Sequence, residues 1–258
     1  MIQDEDLDFL KQCSHQDLDN LVHLLVYDKD EKKRISEKLS KCDSYKKYYP
    51  KHMHYYEEVI SEFQCYGGNT IANIARKGRG VPYREILEDV CSIYKIKYDK
   101  RIETESLENL LMLRIVEHSL DKMNSVQRKE LLNTLNTKST DLSKQAVTTA
   151  IQAAIKISGF ASYRLSAIVA NAIVKQITGK GIAFVGNQIM TKSISVLSGP
   201  VGWAITSLWT LYDISGPAYR VTVPAVLEIA YLRQKCKKRK ESLFHKSLYQ
   251  VKMFFTKE

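Results

Sequence analysis

Between Gln145 and Gly216 the chain carries only six charged residues, Lys156, Arg164, Lys175, Lys180, Lys192 and Asp213, and none between Ser193 and Tyr212. Elsewhere a charge falls every few positions. A run so long and so rich in Ala, Ile, Val and Ser must bury its apolar surface in a protein core or against lipid. Gly159, Gly179, Gly181, Gly186, Gly199, Gly202 and Gly216 divide it into pieces of helical length, at 142–158, 160–178, 182–198 and 201–215. Proline is scarce, with five residues in 258, which favours helices over a strand-and-turn fold. The pattern predicts an all-α protein, a multi-helix bundle with a Gly-punctuated hydrophobic C-terminal helical region.

Four regions follow from the patterning: 1–41, 42–138, 139–240 and a tail at 241–258. The first reads as a helical hairpin. Leu7 and Leu10 share a face of a short helix, and Ser14-His-Gln-Asp17 has the form of a helix start. Leu18, Leu21, Val22 and Leu25 then recur at i, i+3, i+4 and i+7. Glu31 to Lys41 is expected to be a charged helix with Ile35 and Leu39 turned inward. In the second region Val59, Ile60 and Phe63 mark a helix that Gly67-Gly68 is expected to close in the left-handed conformation, with Asn69 capping the next. Further helices are expected around Ile86, Val90, Ile93 and Tyr94, around Leu107, Leu111 and Ile115, and from Val126 to Leu135. The polar stretch Asn136–Asp141 marks a boundary, and the N-terminal half is expected to fold without the rest. In the third region Gly199-Pro200 is expected to break the helical run. Gly216, Pro217, Tyr219 and Arg220 form a turn, with Arg220 bonding back across it. The last helix is expected to start at Thr222-Val-Pro224, capped by the Thr222 hydroxyl.

A net charge of +10 points to an anionic partner. Arg233, Lys235, Lys237, Lys238, Arg239 and Lys240 follow the low-charge region directly, where they would attract an anionic membrane surface. Trp203 and Trp209 are placed as interfacial aromatics. Cys236, inside the block, is a candidate for acylation. The competing reading is a solvated helix end whose cations complement the helix dipole. Ser193–Tyr212 is long enough to span a bilayer, but Gly199-Pro200 interrupts it. Tyrosines among lysines between Tyr45 and Tyr56 read as a half-buried aromatic helix face, and nucleic acid is not expected as a partner. His52 and His54 cannot share a helical face, and no second ligand pair accompanies them, so no metal is expected. Gly179-Lys180-Gly181 lacks the upstream glycine and the following Ser or Thr of a phosphate loop. No catalytic residue, cofactor or small-molecule ligand is nominated. Five cysteines at wide spacing and an acidic opening predict free thiols, with Cys13, Cys65 and Cys91 as small core residues. The expected location is the cytoplasm, including the inner face of the cell membrane.

Several blocks together resemble the YaaW family of bacterial proteins. They are Asp4-Glu-Asp-Leu-Asp-Phe-Leu-Lys-Gln-Cys-Ser14, Tyr66-Gly-Gly-Asn-Thr-Ile-Ala-Asn73 with Tyr83-Arg-Glu-Ile-Leu87, Gly199-Pro-Val-Gly202, and Ser215 through Ala230. That family's middle region is similar to the ubiquinol–cytochrome c chaperone domain, an all-helical module. The resemblance implies a helical fold over about Lys41–Asn136 and assigns no catalytic residue.

The sequence thus predicts a non-enzymatic helical protein that associates with a membrane surface as a scaffold or effector. The alternative is a soluble assembly chaperone that binds a helical or membrane-protein client.

Overall fold

The computed structural model describes residues 2–67, 80–178, 196–205 and 218–255, with side chains through residue 244. Its α-helices are α1 (Asp19–Val26), α2 (Asp43–Tyr48), α3 (Tyr56–Tyr66), α4 (Tyr83–Ile93), α5 (Thr104–Ser119), α6 (Ser125–Thr134), α7 (Lys144–Ile157), α8 (Gly159–Thr178) and α9 (Tyr219–Phe255), and residues 196–205 are also helical. Among the described residues the one extended pairing is an isolated antiparallel bridge between Tyr27 and Lys33. The all-α expectation holds.

Two helices with no polar face organise the rest. From Leu165 to Val174 every residue of α8 is buried, and so is every residue of α9 from Val221 to Leu232. A helix apolar all round must be enclosed, and α8 and α9 are each other's most extensive neighbours. α1, α3, α4 and α5 pack against α9, while α5 and α7 pack against α8. The part of the low-charge run from Leu165 to Val174 is therefore protein core, whereas α7 buries only Val147, Thr148 and Ile151. No described helix is long and apolar enough to cross a membrane.

One hydrophobic cluster runs from Leu7 through Leu25, Phe63, Val90, Leu111 and Ile168 to Leu227 and Cys236. The boundary drawn at 138 crosses this core. The stretch that follows α6 is ordered: Asn136 takes the left-handed conformation at φ 55°, and the Thr137 N–H donates to the Leu132 carbonyl at 3.0 Å.

Several local expectations change. The Asp4–Cys13 helix is a 3-10 helix, Glu5–Gln12, with Leu7 and Leu10 buried as expected. The helix start at Ser14 is a reciprocal pair: the Asp17 N–H donates to Ser14 Oγ at 3.1 Å, and the Ser14 N–H donates to Asp17 Oδ2 at 2.8 Å. The expected Glu31–Lys41 helix is absent. Asp28 accepts from the N–H groups of Asp30 and Lys32, Arg34 donates its N–H to the Val26 carbonyl, and Glu31 sits at φ 57°. Turn bonds of this kind outcompete a helix that has few apolar anchors. Ile35, expected inward, is fully exposed, while Leu39 is buried.

Gly67 caps α3 in a right-handed conformation, φ −73°, so it does not supply a left-handed residue. Its role is space. A Cβ there would lie 2.2 Å from Ile86 Cγ1 and 2.8 Å from Val81 Cγ2. Gly68 and Asn69 lie outside the described residues, as do Trp209, Gly216 and Pro217. Gly199 and Pro200 do not break the helix, which runs through them.

The start of α9 also differs. Ala218 precedes the helix, Tyr219 opens it, and Pro224 lies inside it. Thr222 is no cap. Its hydroxyl and its N–H both donate back to the Ala218 carbonyl, at 3.2 and 2.9 Å. Tyr219 packs on the core, and Arg220 is exposed. The helix does not end at the basic block either, and continues to Phe255.

Candidate functional site

Where α9 leaves the apolar core it becomes cationic. Helical spacing puts Arg233 and Lys237 on one stripe and Lys235 and Arg239 on another. The first stripe faces α5, where Glu105 and Glu108 lie three residues apart. Arg233 Nε sits 3.0 and 2.9 Å from the two oxygens of Glu108, and its other arm donates to the Asp6 carbonyl at 2.8 Å. The guanidinium lies 4.5 Å from the Phe9 ring centre, and the Tyr83 hydroxyl donates to Glu108 Oε1 at 2.6 Å. Glu108 is only 1% exposed. Burial pushes its carboxyl up, and Arg233 pulls the other way. Burial likewise works against the charge of Arg233, but Glu108 outweighs it and holds the guanidinium above its usual range. Lys237 Nζ reaches Glu105 at 2.7 Å.

The second stripe closes on Asp17. Lys235 meets Oδ1 at 2.7 Å and Arg239 meets Oδ2 at 2.7 Å. Burial opposes the Asp17 charge, yet Lys235, the Ser14 N–H and Arg239 hold its carboxyl well below the usual range. Arg239 also donates to the Gln12 carbonyl at 3.2 Å. Lys238 takes a third direction, with its ammonium 4.6 Å from the Phe160 ring centre and 4.3 Å from that of Tyr163. Lys240 is exposed. Five of the six cations are thus engaged by carboxylates or rings of this same chain, in a clasp that ties α9 to the N-terminal segment and to α5. Trp203 is 41% exposed, with Lys122 Nζ 4.7 Å from its ring centre. Cys236 is 4% exposed and faces Cys13, which does not suit acylation.

A second polar arrangement lies on the other side of α1. A pocket of about 730 Å³ is lined by Asp19, His23, Tyr27, Glu31, Tyr49 and His52 among others. The cis Tyr49-Pro50 bond shapes one wall. His52 is 3% exposed and contacts Asp19 Oδ1 through Nε2 at 2.7 Å and the Tyr55 hydroxyl through Nδ1 at 2.5 Å. Burial lowers its pKa despite Asp19. The neutral ring then donates from Nε2 and accepts at Nδ1. His23 meets Glu31 at 2.9 Å and stacks on Tyr27. The arrangement orients two imidazoles against tyrosine rings, and the lining residues include no serine, threonine or cysteine. Among the described residues no group of three His, Cys, Asp or Glu side chains is placed to hold a metal ion. His54 points elsewhere, stacked between His15 and Tyr48. Tyr45 and Tyr55 are buried while Tyr49 is 55% exposed, as a half-buried aromatic face requires.

The acidic half of the clasp was invisible to sequence reasoning. Asp17, Glu105 and Glu108 look like ordinary surface carboxylates on amphipathic helices. The available signal was the match in spacing: an i, i+3 pair of glutamates opposite an i, i+4 pair of cations.

Residues 51–227 match the family described as ubiquinol-cytochrome C chaperone, and residues 1–35 match a domain of unknown function, DUF3944. A UPF0174 protein of Helicobacter pylori strain J99 is 45% identical over 239 residues, 92% of this chain and 94% of the relative. The UPF0174 protein YaaW of Escherichia coli K12 is 31% identical over 238 residues, 90% of this chain and 95% of the relative. The chain belongs to the UPF0174 family. No solved structure matches it.

Proposed function

We propose that this protein is a non-enzymatic binding protein of the chaperone type, which holds a helical or membrane-protein client during assembly. The observation that carries this reading is the match to the ubiquinol-cytochrome C chaperone family across residues 51–227. The clasp supports it, because Arg233, Lys235, Lys237 and Arg239 already have carboxylate partners within the chain, in Glu108, Asp17 and Glu105. Exposed apolar side chains add to it. Ile157 is 85% exposed at the end of α7, and Leu243 is 61% exposed on α9. Gly159 faces Glu241, which brings those two positions to the same end of the molecule. A client helix with an apolar stripe would cover such an end. The test is whether the purified protein keeps an unfolded α-helical membrane protein in solution after detergent dilution. Suppressed aggregation that Ile157→Glu with Leu243→Glu abolishes supports the reading. Unchanged aggregation with wild-type protein overturns it.

The membrane-surface scaffold remains the second reading, supported by the net charge of +10 and by the exposed Lys240. Sedimentation with anionic and neutral vesicles tests it. Binding to anionic vesicles alone that weakens as salt rises supports this reading, and equal or absent binding to both removes it.

A further inference from the structure

At the centre of the clasp, between its two ion-pair stripes, two thiols meet. Cys13 Sγ and Cys236 Sγ are 3.4 Å apart, although 223 positions separate them in sequence. Both are buried, at 7% and 4% exposure. Cys13 ends the 3-10 helix Glu5–Gln12 in extended conformation, and Cys236 sits on α9 between Lys235 and Lys237. The surroundings are unequal. The hydrogen bond from Cys13 holds the Cys236 thiol below its ordinary range, and Arg239 and Lys235 act in the same direction against burial. The Cys13 thiol is raised by its bond to Cys236 and by burial. Arg239 and Lys235 beside Cys236 favour a thiolate at this pair, the form that attacks an oxidant. Cys42 and Cys65 are more open. Cys91 is buried alone within the α4 core.

We infer that Cys13 and Cys236 form a redox modification site, at which a hydroperoxide oxidises the pair to a disulfide that locks the clasp. The Cys236 thiolate attacks one peroxide oxygen, the O–O bond breaks, and the leaving hydroxide takes a proton to depart as water. Cys236 is left as a sulfenic acid. The Cys13 sulfur then attacks the Cys236 sulfur, its proton passes to the departing hydroxyl, and a second water leaves. Two thiols and one hydrogen peroxide become one disulfide and two waters; the two sulfurs lose the two electrons that the peroxide gains. In the reduced protein, ion pairs and packing hold the N-terminal segment on α9. In the oxidised protein a covalent bond does so, across a loop of most of the chain. Cross-links over long loops restrict the unfolded ensemble most.

The test uses the full chain. The reduced protein is treated with hydrogen peroxide, capped with an alkylating reagent, digested without reduction and mapped by mass spectrometry. A linked Cys13–Cys236 peptide is expected to dominate. The melting temperature is expected to rise by roughly 5–15 °C and to return on adding dithiothreitol. Cys13→Ala should lose both signals, while Cys42→Ser with Cys65→Ser should keep both. Should Cys13→Ala fail to fold, the comparison of oxidised and reduced wild type still decides. Recovery of Cys13 and Cys236 as free thiols while Cys42 and Cys65 are oxidised overturns the inference. So does a linked peptide that leaves the melting temperature unchanged.

Discussion

Glu108 and Glu228 are both fully enclosed carboxyls in contact with elements of the same bundle, and they live under opposite conditions. Glu108 receives a guanidinium on both oxygens and a tyrosine hydroxyl on one. Glu228 has only the Asn20 amide at 3.4 Å on one oxygen, and its Oε2 has no hydrogen-bond partner. The first belongs to the charged half of the α9 interface and the second to its apolar half. A buried charge with its counter-charge is a fixed point of the structure, whereas a buried carboxyl without one keeps its proton. Burial pushes the Glu228 carboxyl up to about 7, against the pull of Asn20 and Lys235.

The hardest test removes both halves together. Residues 1–138 lack α8 and α9, which supply the buried centre onto which α1, α3, α4 and α5 pack. That fragment is expected to show no cooperative thermal transition by circular dichroism. A sharp melt would separate the N-terminal half from the shared core and restore the boundary at 138.

Breaking the charged half alone comes next. Glu108→Ala strands Arg233 in a site where it is 15% exposed, and removing one partner of a buried pair costs about 3–5 kcal/mol. Urea unfolding measures it. A loss below 1 kcal/mol, by order of magnitude, would mean that water or Asp6 takes over the guanidinium.

The apolar half gives a pH signature of the opposite sign. In the unfolded chain a carboxyl of the Glu228 type loses its proton near its ordinary value of 4.5, while the folded protein keeps it to about 7. Stability from this group is full below the lower value and is lost as pH rises through the upper one. Glu228→Gln should therefore stabilise the protein at pH 8 by on the order of 3 kcal/mol and change little at pH 4. Equal effects at both pH values would show that the carboxyl titrates alike in the folded and unfolded chain. Asp17 slopes the other way. Its depressed carboxyl contributes above the usual carboxylate range and is lost in acid.

The smallest effect belongs to the rim. Lys237 and Glu105 are 49% and 35% exposed, so Lys237→Gln should cost only about 0.2–1 kcal/mol, less at high salt. A loss as large as that of Glu108→Ala would join the rim to the buried network.

The same contrast explains what could be read from the sequence. Leu18, Leu21, Val22 and Leu25 announced α1 because an apolar stripe is a local pattern. The low-charge run announced a buried centre because burial needs only composition. The basic block was legible as a cluster of charges but not as a clasp. Arg233 finds Glu108 across 125 positions and Arg239 finds Asp17 across 222, and no local period encodes such a pairing. Thr222 and Pro224 misled for a related reason. They look like a cap and a first turn, and tertiary packing started the helix earlier. The Glu31–Lys41 stretch failed in the reverse sense, since Asp28 offered its backbone a turn that no helical pattern forbids.

The position of α9 along the chain has a consequence for synthesis. Translation makes residues 219–240 after every segment they hold together. Until they emerge from the ribosome, Leu7, Leu25, Val90 and Leu111 lack the surface that encloses them, and Asp17 and Glu108 lack their cations. The nascent chain thus holds its first two hundred residues in waiting, with apolar faces open to the folding helpers of the cell.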